Sequence, residues 1–182
     1  MTLSSKLTIL LTPLLLLGCQ ASKPADVPPV TMLFDHNNIN QEVKMNVTIE
    51  DPRTYSVFMN YYLEKPEEYE FLSSKKPTAE DIENSDNLGE ILGLRYEDTF
   101  EDLGAPAKYH VKIYDKQKGR NIADGIIKNP ETSAVSSGRY AILATSYLAK
   151  GQYSIYVTYL GGSAKLNNLY TQIIIKRDHH GK

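Results

Sequence analysis

Seven short runs in this chain alternate polar and apolar residues with a period of two, and that pattern confines it to a β fold. In residues 42–50 (EVKMNVTIE), Val43, Met45, Val47 and Ile49 share one side. In 53–63 (RTYSVFMNYYL), Tyr55, Val57, Met59, Tyr61 and Leu63 do the same. Residues 107–115 turn Tyr109, Val111 and Ile113 inward and Lys108, His110 and Lys112 outward, and 152–160 turn Tyr153, Ile155, Val157 and Tyr159 inward. Successive side chains of a strand point to opposite faces, so each run is a strand with one face in a core. Weaker runs at 121–128, 139–147 and 169–176 complete the set. Asp51-Pro52, Lys118-Gly119 and Gly161-Gly162 supply turns between them. Short strands with turns between them predict an immunoglobulin-like antiparallel β-sandwich rather than a parallel sheet with crossover helices. The aromatic composition agrees: 13 Tyr against 4 Phe and no Trp favours the half-buried surface of a sheet.

A local motif supports the sandwich. Leu148-Ala149-Lys150-Gly151-Gln152-Tyr153 resembles the tyrosine corner of immunoglobulin-like and fibronectin-like domains. There the phenol bonds back to the preceding backbone and fixes the start of a strand. The role this implies for Tyr153 is structural.

Residues 64–106 break the alternation. Thr78-Ala79-Glu80-Asp81 reads as a helix start with an acid in capping-box position. Leu88, Ile91 and Leu92 share one helical face, and Gly93 can end the helix. One or two short helices are therefore expected as an insertion in the sandwich. Between Glu64 and Asp102 there are 13 acidic and 4 basic residues, a net of -9, so with a total of -2 the rest of the chain carries +7. The near-neutral total conceals a polarised molecule.

The N-terminus reads as a targeting segment. Met1–Lys6 is short and positive, Leu7–Leu17 is apolar, and Gly18-Cys19 follows. The Leu-Leu-Gly-Cys ending resembles the lipobox of bacterial lipoproteins, with Cys19 as the acylated first residue of the mature chain. It is the only cysteine, so a disulfide, a cysteine nucleophile and a cysteine-ligated metal are all excluded from the domain. Gln20 rather than Asp follows Cys19. By resemblance to enteric lipoproteins, this implies the outer membrane, facing the periplasm. The expected organisation is a signal peptide at 1–18, a lipidated Pro-rich tether at 19–30, a β-sandwich domain at 31–178 with the insertion at 64–106, and a disordered tail at 179–182.

Few residues suggest chemistry. The chain lacks a Gly-x-Ser-x-Gly elbow, a phosphate-binding glycine loop and a His-Glu-x-x-His pair. Ser136-Ser137-Gly138-Arg139 has no histidine tied to it, and His179-His180 lies in a polar tail. Asp98, Glu101 and Asp102 lack the spacing of a calcium loop, and the sequon at Asn46 falls within a strand. No cofactor, metal or nucleic-acid partner is expected. What remains is the insertion, where Glu67, Glu68 and Glu70 are interleaved with Tyr69 and Phe71, and where Tyr96 and Phe100 lie further on. Acids steer a basic partner and aromatics supply desolvated contacts. The bland alternative is a solvated loop and helix.

The order of these motifs resembles a family of small bacterial β-sandwich lipoproteins of uncharacterised function. It runs from the lipobox through Phe34-Asp35, Tyr55 and Tyr61 to Ile91-Leu92-Gly93, then Gly104-Ala105-Pro106 before Val111-Lys112-Ile113, and Leu148 through Tyr153. The resemblance covers most of the mature chain and implies architecture and location, without catalytic residues. In location, size and lack of catalytic residues the chain is also similar to periplasmic immunity proteins of type VI secretion effectors. The expected function is thus a non-enzymatic protein-binding lipoprotein, in its most concrete form an immunity protein. The alternative is a pilotin-like assembly lipoprotein of an envelope or secretion complex.

Overall fold

The structure, a computed structural model, describes residues 26–66, 78–92, 107–135 and 137–178. The alternating runs become strands close to where their pattern starts and stops. In chain order the elements are β1 (Val30–Phe34), β2 (Glu42–Ile49), β3 (Arg53–Tyr62), α1 (Ala79–Leu92), β4 (Ala107–Asp115), β5 (Arg120–Lys128), β6 (Thr132–Val135), β7 (Gly138–Leu148), β8 (Gly151–Gly162) and β9 (Tyr170–Arg177). A 3-10 turn, Ala164–Asn168, joins the last two strands. Val30, counted with the tether in the sequence, opens β1, and Asp26 is already tied down: its carbonyl accepts the Thr48 amide at 2.7 Å. β1, β6 and the 3-10 turn fall outside the seven runs read in the sequence.

Two antiparallel sheets face each other, one in the order β1-β9-β3-β7-β6 and the other β2-β8-β4-β5. This is the expected sandwich, with a single described helix. The core fills the space between Tyr55, Val57, Met59, Tyr61, Ile173 and Ile175 on the first sheet and Met45, Val47, Tyr109, Val111, Ile155 and Val157 on the second. Each strand contributes its alternate residues, as hydrophobic burial requires.

β3 departs from the half-buried pattern. Its outward residues Ser56, Phe58, Asn60 and Tyr62 are as buried as its inward ones. β3 is central in its sheet, and its neighbours close over it. Lys176 lies 4.5 Å above the Phe58 ring, Tyr140 meets that ring edge-on, Ser56 shares a 2.7 Å hydrogen bond with Thr145, and Tyr62 lies beside Tyr170. Gly138 is required here, because a Cβ would lie 2.5 Å from the Tyr62 ring and 2.9 Å from the Tyr61 carbonyl.

The register gives the molecule two poles. β2 ends at Ile49 opposite Gly151, β4 ends at Asp115 opposite Tyr153, and β3 begins at Arg53 opposite Leu148. With Asp26 held beside Thr48, this is the tether pole. At the other, distal pole lie Tyr62, paired with Tyr170, and Ala107, paired with Gly162. Two tyrosine corners lock the tether pole, one in each sheet. Tyr153 donates to the Ala149 carbonyl at 2.9 Å, as the motif predicts, and Tyr55 donates to the Asp51 carbonyl at 3.0 Å. Each fixes a connection that crosses from one sheet to the other. The β4–β5 hairpin turns here too. Asp115 accepts the Gln117 and Lys118 amides at 3.0 Å each, and Gly119 takes a φ of 63°, a conformation glycine adopts without penalty.

Candidate functional site

The acidic insertion leaves the sandwich after Tyr62 and returns at Ala107, both at the distal pole. Its described residues are 64–66 and 78–92, and the helix among them is α1. The helix carries Glu80, Asp81, Glu83, Asp86 and Glu90 and no basic residue. Acids in its first turns face the positive end of the helix dipole, which favours the helix starting where Thr78 predicts. Leu88 and Leu92 are buried and join the main core, with Ile91 packed against it. Glu80, Glu83, Asp86 and Glu90 are exposed, and so is Ile82 at 53%. The result is a helix held by one apolar edge, with an acidic face and one apolar side chain turned to solvent. Cys19, Glu67, Glu68, Tyr69, Glu70, Phe71, Tyr96 and Phe100 lie outside the described residues, as do Asp98, Glu101, Asp102 and the His179-His180 pair.

A polar network lies buried beneath the insertion's base. Tyr61, next to the last residue of β3, bonds the Tyr109 hydroxyl at 2.9 Å, and Tyr109 bonds His36 Nε2 at 2.7 Å. His36 Nδ1 lies 3.2 Å from Thr171 Oγ1, which donates to the Phe34 carbonyl at 2.7 Å. The proton directions follow from that last bond. A carbonyl only accepts, so the Thr171 proton is committed to it and His36 Nδ1 must be the donor to Thr171. Nε2 of the neutral ring is then an acceptor, so Tyr109 donates to it and Tyr61 donates to Tyr109. The chain runs one way, and all its members are buried. It ties β3 and β9 of one sheet to β4 of the other through the loop after β1.

Burial dominates the electrostatics. It holds the His36 imidazole down at about 4, against a small opposing pull from Asp35. Burial also pushes the Tyr61 and Tyr109 phenols up. Around the imidazole the Tyr159 and Phe34 rings stand edge-on, at 4.8 and 5.1 Å. Bonded through both nitrogens, the imidazole ties the loop after β1 to Tyr109 of one sheet and Thr171 of the other.

His110, expected to face outward, does so and bonds Asp124 at 2.6 Å. Asn46, the sequon residue, lies in β2 and accepts the Ser154 hydroxyl at 3.2 Å. Arg139 is buried. Among the described residues, no group of three or more His, Cys, Asp and Glu is arranged to hold a metal ion.

A family described as a domain of unknown function (DUF5625) matches residues 31–177. The chain belongs to this family. The family span runs from β1 to the end of β9 and so includes both tyrosine corners, α1 and the His36 network. No curated protein matches the chain. Among solved structures, a protein from Sulfurospirillum deleyianum is similar in fold, with a TM-score of 0.52 at 16% identity, covering 82% of this chain and 97% of that one. The insecticidal delta-endotoxin Cry8Ea1 from Bacillus thuringiensis matches at a TM-score of 0.33 and 9% identity, over 81% of this chain and 19% of its own length.

Proposed function

We propose that this chain is a non-enzymatic, lipid-anchored binding protein that holds its acidic insertion away from the membrane for a basic protein partner. The observation that carries the reading is topological: the insertion's two ends, Tyr62 and Ala107, lie at the pole opposite the residues that receive the tether. The exposed acids of α1 support it, since a cluster of one sign raises the rate at which an oppositely charged partner docks. Acylation of Cys19 and an outer-membrane, periplasm-facing location complete the reading. Its most concrete form is an immunity protein that occludes a toxin, in which case adding this chain would inhibit the toxin's reaction.

The test starts from partners captured with the soluble domain from envelope extract and continues as binding kinetics on each. Glutamine at Glu67, Glu68 and Glu70, and separately Glu80→Gln, Glu83→Gln and Asp86→Asn, should slow association at low salt and flatten its salt dependence. The fold should survive, because exposed charges contribute little to stability. If both triple variants associate as fast as the parent at low salt, the insertion is a solvated surface and the docking role is wrong.

A further inference from the structure

The tether pole carries a feature that the binding role does not use. Its second-sheet side is formed by the β4–β5 hairpin and the β7–β8 turn, which pack together. Lys116 donates its amide to the Gln152 carbonyl at 3.0 Å, and a Cβ on Gly151 would lie 3.0 Å from Gln117 Oε1. Lys116, Lys118, Arg120 and Lys150 are all exposed on these two tips. Asp115 is the acid among them, and it is occupied. One of its oxygens accepts two amides of the turn, and the other lies 3.7 Å from Lys118 Nζ.

The pole's other acids lie along the β2 edge and the first sheet. Asp51 there is held between Arg53 and Arg177, Glu50 precedes it, and Asp26 and Asp178 are bonded through their backbones to Thr48 and Thr54. On the first-sheet side of the same pole Tyr147 is 64% exposed, paired across the sheet with Thr54. Cations with an exposed tyrosine at one end of a domain match the chemistry of an anionic membrane interface.

The tether decides which end meets the membrane. Asp26 lies seven positions after Cys19, a reach of at most about 25 Å. Asp26 is bonded to β2, which lies two strands from β4, roughly 10 Å away. A lipid at Cys19 therefore brings these loops, rather than the distal pole, within contact of the headgroups.

We infer that the loops bearing Lys116, Lys118, Arg120 and Lys150 form a contact surface for anionic phospholipid headgroups, which seats the tether pole on the bilayer. This goes beyond the binding role and rests on it only for the lipid at Cys19. The experiment can be made independent of that point. The strands and the helix lie within residues 30–177, so the chain from Cys19 to Lys182 keeps them all, and its single thiol couples to a maleimide lipid.

The coupled protein is placed on vesicles of phosphatidylcholine alone or with a minority of phosphatidylglycerol. Surface amines are then labelled briefly and read by mass spectrometry. Labelling of Lys116, Lys118 and Lys150 should slow by about fivefold when phosphatidylglycerol is present, while Lys165, exposed in the 3-10 turn at the distal pole, labels at the same rate on both. Equal rates for the three lysines on the two vesicles would overturn the inference, and so would protection of Lys165 in their place. The mass of native Cys19 is a separate measurement. A chain without acylation would refute the anchor and leave the footprint to be judged alone.

Discussion

Removing one hydroxyl from the middle of the buried network should cost more than removing one from its end. Tyr109→Phe deletes the acceptor of the Tyr61 proton and the donor to His36 Nε2 in one step, leaving a buried donor and a buried acceptor unmet. Tyr61→Phe deletes a single donor, and Tyr109 keeps its bond to His36. With about 1 kcal/mol for a net hydrogen bond and about 1 to 3 kcal/mol for a stranded buried group, Tyr109→Phe should destabilise by about 2 to 4 kcal/mol and Tyr61→Phe by about 1 kcal/mol. Neither change alters ring volume, so no cavity contributes. For a domain of this size these losses lower Tm by roughly 6 to 12 °C and roughly 3 °C respectively. Urea unfolding of the leaderless chain at neutral pH, followed by circular dichroism, measures both. Equal losses, or a larger loss for Tyr61→Phe, would show that the protons do not run from Tyr61 through Tyr109 to His36, and the tautomer assignment would fall with them.

Acid should weaken the fold through His36. Its folded value, about 4, lies below the ordinary 6.5, so the unfolded chain takes up the proton first. Stability is then complete above about pH 6.5 and declines toward pH 4 by about 3 kcal/mol; a His36→Asn variant should lose that slope in urea midpoints measured against pH. Tyr153→Phe and Tyr55→Phe each break one corner bond to backbone, and each should cost about 1 to 3 kcal/mol in the same assay; a midpoint unchanged within error would remove that tyrosine from the corner role. Gly138→Ala forces a methyl against the Tyr61 carbonyl and the Tyr62 ring, and a loss of about 1 to 3 kcal/mol is expected; a neutral result in thermal melts would mean that β7 can shift away from β3. Cys19→Ser should block acylation and processing, and a mature acylated product in membrane fractions would contradict the lipobox reading.

Period-two alternation carried most of the fold because burial on one face writes itself into every second residue. It fails where that premise fails. β3 is buried on both faces, so only half of its environment could be read from Tyr55, Val57, Met59 and Tyr61. β6 is four residues at a sheet edge, too short for a period to register. The corner at Tyr153 was legible because donor and acceptor are four residues apart. The equivalent bond from Tyr55 to Asp51 has the same spacing, yet Asp51-Pro52 drew attention only as a turn. The His36 network was not legible at all. Residues 36, 61, 109 and 171 meet only through the pairing of two sheets, and Tyr61 and Tyr109 alone read simply as inward side chains. Charge segregation was visible in the residue counts, but its direction relative to the tether needed the strand register.

That direction bears on how the two charged poles would act on an anchored molecule. β4 spans nine residues from the distal to the tether pole, roughly 30 Å. The Debye length in physiological salt is only about 8 Å, so acids at the distal pole are screened from a membrane at the other end. Repulsion between the insertion and anionic headgroups would therefore contribute little to the orientation of an anchored domain. If the domain is anchored as proposed, its orientation would come from groups within a Debye length of the surface, which include the four loop cations as well as the Asp51 cluster with Arg53 and Arg177. Under the proposed anchoring, the same screening would separate the field of the α1 acids from the membrane's own charge. The two poles can then be altered separately. Neutralising Lys116, Lys118 and Lys150 should change how the domain sits on a bilayer without changing the rate at which a basic partner docks.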